Sequence, residues 1–136
     1  MARLYINLSV NDLAKSIEFY QALGFVQNLD FSDEKAAAMT LDNSLSVMLL
    51  TRDFFMRFVP THKTISDSQT TTEVLNALEL DSREAVDILF DKAISAGGKK
   101  TVDTYDYGFM YGRDFEDPDG HIWEAFWMDV SQIPKA

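Results

Sequence analysis

Glu124 is a carboxylate in a run that is otherwise apolar, Ile122-Trp123-Glu124-Ala125-Phe126-Trp127-Met128. In an extended chain alternation places Ile122, Glu124 and Phe126 on one side and Trp123, Ala125 and Trp127 on the other. A strand apolar on both sides is normally covered on both sides. A carboxylate there has to find a partner, bind something or keep its proton, because an unpaired buried charge is costly. Either it is a functional acid or it is a core glutamate satisfied by a nearby hydroxyl, arginine or backbone donor. Just upstream, Asp117-Pro118-Asp119-Gly120 is a strong turn signal, since Pro118 presets its own φ and Gly120 tolerates positive φ. A tight turn delivering a carboxylate into an apolar cavity is the pattern expected of a site.

Other chemistry is sparse. His121 and Glu124 are three apart on a strand, so they point to opposite faces, and His121 is expected to be a turn-side surface residue. His62 stands alone in a polar segment. The chain has no cysteine, which excludes disulfides, thiolate metal sites and a cysteine nucleophile. No serine sits in a strained glycine-flanked turn with a histidine to serve it, so nucleophilic hydrolysis has no candidate.

The elements that must position Glu124 are written twice. Leu4–Val10 alternates as a strand, and Asp12 caps a helix whose apolar stripe is Leu13, Ile17, Tyr20 and Leu23, ended by Gly24. Val74–Leu80 repeats the strand. Asp81 or Ser82 caps the second helix, with Glu84 placed for a capping box on Asp81. Val86, Leu89, Phe90 and Ala93 make its stripe, and Gly97-Gly98 stops it. Three strand-like runs follow each helix: about 25–31, 36–41 and 45–50 in the first half, about 99–105, 109–115 and 121–128 in the second. Each half therefore reads β-α-β-β-β, an α+β protein in which neither half could bury its apolar faces alone. Between them, 53–72 opens with the aromatic Asp53–Phe58, which suits a short helix. It continues as a polar linker long enough to be a lid or a solvated tether.

With 136 residues, 46% of them hydrophobic, the chain is sized for one domain with a real core. No run approaches the roughly 20 apolar residues that cross a bilayer. The start reads straight into a strand without a signal region, and with the absent cysteines this points to the cytosol. A net charge of −10 without a basic stripe argues against nucleic-acid and anionic-membrane partners.

The doubled β-α-β-β-β unit, the closing Asp117-Pro118-Asp119-Gly120-His121-Ile122-Trp123-Glu124 and the opening Asn7-Leu8-Ser9-Val10-Asn11-Asp12-Leu13 resemble the vicinal oxygen chelate superfamily. That group holds glyoxalase I, bleomycin-resistance proteins, fosfomycin-resistance enzymes and extradiol dioxygenases. Met110-Tyr111-Gly112-Arg113 leading into Phe115-Glu116-Asp117 is similar to its bacterial "predicted lactoylglutathione lyase" branch. The resemblance implies a single glyoxalase-like domain over 1–136: module 1 at about 1–52, linker 53–72 and module 2 at about 73–130. Its curved mixed sheets would form a trough with helices outside. It also implies a homodimer.

In metal-using members of the superfamily the ligands come from the first, fourth, fifth and eighth strands. The resemblance places those positions at Tyr5, Leu49, Leu75 and Glu124, so only Glu124 is retained. A divalent catalytic ion wants about three protein ligands, and leucine offers none. With Asn7 on the face of Tyr5, a divalent metal would have at best a weak Asn/Tyr/Glu oxygen site, so no cofactor is expected. Loss of both histidine positions disfavours a dioxygenase outright.

Two functions remain. One is a metal-free module binding a small aromatic or oxygenated molecule, with Tyr5, Asn7, Tyr111, Arg113 and Glu124 as binding residues and Tyr107, Trp123, Phe54 and Phe55 as further aromatic faces. The other is a lactoylglutathione-lyase-like enzyme isomerising a hemithioacetal. There Glu124 is ligand or catalytic base, its pKa raised by apolar surroundings, and Tyr5, Tyr111 or Arg113 donates to the oxyanion in place of a metal. Arg113 has the alternative of a structural ion pair with Asp114, Glu116 or Glu124.

Overall fold

A computed structural model describes residues 2–135, and the chain divides into two compact units, Met1–Thr71 and Thr72–Ala136. In the first, β1 (Leu4–Val10) leads to α1 (Leu13–Ala22), followed by β2 (Val26–Asn28), β3 (Ala36–Asp42), β4 (Leu45–Thr51) and the short α2 (Arg52–Met56). In the second, β5 (Leu75–Glu79) leads to α3 (Arg83–Ser95), then β6 (Lys99–Lys100), β7 (Tyr105–Asp106), β8 (Met110–Glu116) and β9 (Ile122–Met128). Both are α+β units with a curved mixed sheet, and the two sheets are wired alike. The orders are β1-β4-β3-β2 and β5-β9-β8-β6, with β7 also on β8. The first strand of each runs parallel to the last, and the remaining pairs are antiparallel.

The helices form where the sequence supplies caps and a stripe. Asp12 accepts the Lys15 amide at 3.1 Å, and Gly24 leaves the helix at φ 102°. Phe19 and Tyr20 are buried, and Tyr20 packs edge-on between Phe19 and Phe25 at 5.2 and 5.4 Å. Fully burying such a side chain is worth about 1.5–3 kcal/mol. In α3 the buried residues are the expected Val86, Leu89, Phe90 and Ala93. Its cap is Ser82, which accepts the Ala85 amide at 3.0 Å. Glu84 then falls at the second helical position, one short of where a capping box on Ser82 would need it.

Two expectations on strands change. The strand expected over 25–31 ends at Asn28, whose side chain accepts the Asp30 amide and turns Leu29–Phe31 into a 3-10 turn. The strand expected over 99–105 splits into β6 and β7. The aromatic start of 53–72 forms the expected short helix, with Phe54 edge-on to Phe58 at 5.2 Å and Phe58 exposed. Past α2 the segment has no regular helix or strand, and Asp67 ties its end by accepting the Gln69, Thr70 and Thr71 amides.

Register fixes which side chains share a face. In the first sheet Ile6, Leu8 and Val10 align with Val47, Leu49, Ala37 and Met39, the side packed by α1. Tyr5, Asn7 and Ser9 align with Ser46, Met48 and Leu50 on the other side. In the second sheet Tyr111, Arg113, Phe115, Trp123 and Ala125 take the side packed by α3. Met110, Gly112, Asp114, Ile122, Glu124, Phe126 and Ala77 take the opposite side, which carries no α-helix of this unit among the described residues.

Candidate functional site

The turn into β9 is built by an aspartate whose part the sequence reading gave to Pro118 and Gly120. Asp117 is 2% exposed, and its carboxylate accepts the amides of Asp119 and His121, both at 2.9 Å. Its own amide donates to the His121 carbonyl at 2.9 Å, and Gly120 closes the turn at φ 91°. His121 is therefore held in the turn and half-buried, not a surface residue as expected; His62 is exposed.

The closed hairpin sets Asp114 on β8 directly opposite Glu124 on β9. On the far side of Glu124, β5 presents Ala77, which leaves its carboxylate unhindered by a large neighbour. Glu124 is half-buried, and no hydrogen bond or ion pair from another described residue reaches its carboxylate. Ile122, Phe126 and Met128 continue the same side of β9 as an apolar surface.

Asp114 is 5% exposed and accepts a hydrogen bond from the Tyr105 hydroxyl at 3.1 Å. Burial lifts its carboxyl above the usual aspartate range; the Tyr105 bond opposes this and the charge of Glu124 adds to it. Burial likewise raises the Tyr105 phenol, helped by the charge of Asp114 and the bond to it. Tyr105 reaches Asp114 because β7 pairs it opposite Gly112, and a methyl group at Gly112 would overlap the tyrosine ring. Tyr107 and Phe109 extend the aromatic row, with centroids 6.2 and 6.4 Å apart in sequence, and Tyr107 is 67% exposed.

Of the binding residues expected from sequence, Tyr111 and Arg113 lie on the other side of the sheet from Glu124. The Tyr111 hydroxyl donates to Asp87 at 2.6 Å. Arg113 donates to the same carboxylate at 3.1 Å, lies 3.8 Å from Asp91, and stacks over Phe90 at 3.9 Å. Its ion pair is thus with helix α3, not with Asp114, Glu116 or Glu124, because odd positions of β8 all face that helix. Trp123 is buried on this same side and offers no open ring. Tyr5 and Asn7 are exposed on the side of the first sheet opposite the one packed by α1, and Phe54 and Phe55 are half-buried.

The position assigned to a fourth-strand metal ligand also changes. Leu49 pairs with Leu8 and Ala37 and is fully buried on the side packed by α1. The β4 residue opposite Asn7 is Met48. On the second unit the neighbours of Glu124 that carry oxygen are Asp114 and, through it, Tyr105, while Leu75 and Ala77 offer no donor. Among the described residues no three His, Cys, Asp or Glu side chains are grouped to hold a metal ion. Among the described residues, the oxygens grouped at Asp114 and Glu124 fall short of the about three ligands that a catalytic transition-metal centre takes.

Solved structures share this architecture. A hypothetical protein, SA1046 from S. aureus, is 28% identical with a TM-score of 0.77, covering 93% of this chain and 94% of its own. A glyoxalase/bleomycin resistance protein/dioxygenase family enzyme from Burkholderia phytofirmans PsJN is 20% identical with a TM-score of 0.79, covering 94% and 100%. The fosfomycin resistance protein FosX from Listeria monocytogenes is 19% identical with a TM-score of 0.68, covering 96% of each chain. No curated protein matches. The family model described as the Glyoxalase/Bleomycin resistance protein/Dioxygenase superfamily matches residues 3–125, from β1 into β9, and includes Glu124. With its doubled sheet-and-helix unit and that match, the chain belongs to the glyoxalase/bleomycin resistance/dioxygenase superfamily.

Proposed function

We propose that this protein binds a small aromatic or oxygenated molecule on the helix-free side of its second sheet, with Glu124 as the polar anchor and no transition metal. One observation carries the reading: Glu124 has no hydrogen-bond or ion-pair partner among the described residues, yet it sits within an apolar surface. An apolar wall with a few convergent polar groups is the general form of a small-ligand site. Tyr5 and Asn7 are proposed as binding residues of the first unit's own sheet face. A cytosolic homodimer goes with this reading.

The glyoxalase-type alternative needs an electrophile for the developing enediolate. Tyr111 and Arg113 are committed to Asp87 on the far side of the sheet, which argues against them in that role. The deciding experiment is a thermal-shift panel of planar aromatics, beginning with catechol and benzamide, on wild type and Glu124→Gln. It is run beside an assay of hemithioacetal loss with Ni²⁺, Zn²⁺ or Mn²⁺ added. Stabilisation without turnover that disappears in Glu124→Gln is the expected result. Stoichiometric metal with turnover abolished by the same substitution would replace this reading with the enzyme.

A further inference from the structure

We propose that Tyr105 is a positioning residue of the binding face: seated in the gap left by Gly112, it holds the buried carboxylate of Asp114 in place beside Glu124 and sets how much negative charge that face carries. The role in binding rests on the function proposed above, while the Tyr105–Asp114 linkage stands on geometry alone.

Three observations meet at this point. The Tyr105 hydroxyl bonds Asp114 at 3.1 Å, and Asp114 is almost fully buried. Tyr105 and Gly112 are register partners, and only glycine leaves room for the ring over the strand. The strand bearing Tyr105 is itself fastened, because its neighbour Asp106 receives both terminal nitrogens of Arg83 at 2.7 and 2.9 Å. The hydroxyl is thus delivered by a short strand whose place is fixed from two sides.

The charged groups around Asp114 make the hydroxyl matter. Across the β8–β9 ladder it meets Glu124, a like charge directly opposite, an arrangement that is unfavourable when both are ionised. From β7 it meets Tyr105. On β6, Lys99 is exposed and in register with Glu116, and Lys100 is in register with Phe115 with its amine on Asp103 at 3.0 Å; neither bonds Asp114. Arg113, next in sequence, turns to α3. Tyr105 is therefore the one side-chain donor in this unit, among the described residues, bonded to the Asp114 carboxylate. A proton taken up at the pair changes its charge, and the phenol decides how readily Asp114 stays ionised.

The test uses the full chain and needs no ligand: carbon-13 NMR titration of the Asp114 carboxyl in wild type, Tyr105→Phe and Gly112→Ala, with urea denaturation of each. Tyr105→Phe keeps the ring and removes only the hydroxyl, so Asp114 should titrate at higher pH than in wild type. Gly112→Ala should move it in the same direction by evicting the ring, and the double variant should move it no further than Gly112→Ala alone. Glu124→Gln should move it down. An unchanged Asp114 titration in folded Tyr105→Phe would overturn the proposal, whatever the substitution does to stability. Because the titration is read without ligand, its failure is separate from a failure of the thermal-shift panel.

Discussion

Glu124 and Asp114 stand side by side on adjacent strands, and their pairing predicts an unusual outcome for removing a half-buried charge. Like charges directly opposite across a ladder cost roughly 0.2–1 kcal/mol. Glu124→Gln should therefore raise stability by about 0.5 kcal/mol at pH 8 in urea denaturation. The sign with pH follows from Asp114, whose proton is held to higher pH by burial and by Glu124. A carboxyl raised in the fold contributes stability at low pH and loses it as pH rises through its folded pKa. Wild type should thus lose more stability than Glu124→Gln between pH 5 and 8, and the two curves should converge on the acid side. A loss above about 1 kcal/mol in the variant would mean that Glu124 is a satisfied structural residue after all.

At the scale of elements, α3 and the β7–β8 hairpin are joined through Arg83, the first residue of the helix. Its guanidinium makes two bonds to Asp106 and one to the Gly108 carbonyl at 2.9 Å, and lies 5.0 and 5.2 Å from the rings of Tyr111 and Trp127. The bonds from Arg83 hold the Asp106 carboxyl down at about 2. A depressed carboxyl contributes above its unfolded pKa and loses that contribution only as pH falls through its folded value. The hairpin should consequently keep its protection from pH 7 down to pH 4. Arg83→Ala should speed hydrogen exchange of the Tyr107 amide, which donates to Met110 within the hairpin. Loss of protection in wild type already above pH 4 would show that the hairpin is held by something else.

The same elements show what a sequence reveals. The stripe Val86, Leu89, Phe90 and Ala93 and the strands around Glu124 were legible because their periods, 3.6 and 2, are set by local geometry. Leu49 failed by a single residue, which on a strand turns a side chain to the other face. Tyr111 and Arg113 are odd-numbered like Trp123 and Ala125, so once the hairpin register is known they cannot share a face with Glu124. Asp114 was legible in principle: a hairpin closed by Asp117 and His121 places residue 114 opposite 124. Tyr105 was not, because its place depends on a two-residue strand and on a ring filling the space over Gly112, neither of which has a period.

For the whole molecule, the test is its mass. β1 and β5 are edge strands of their sheets, and they expose Leu4, Tyr5 and Leu75 while Leu8 and Val10 further along β1 are buried. Exposed apolar side chains on an unpaired edge favour association with another chain. The homodimer proposed above would cover them, and sedimentation at micromolar concentration should then give twice 15.5 kDa. Leu4→Glu or Leu75→Glu should shift the mass toward one chain by placing charge at an edge. Each chain carries a net charge of −10, so two copies repel at long range. Raising salt from about 0.01 M to 0.15 M shortens the Debye length from about 30 to 8 Å and should tighten the dimer. A mass of one chain at both salt concentrations would remove the dimer.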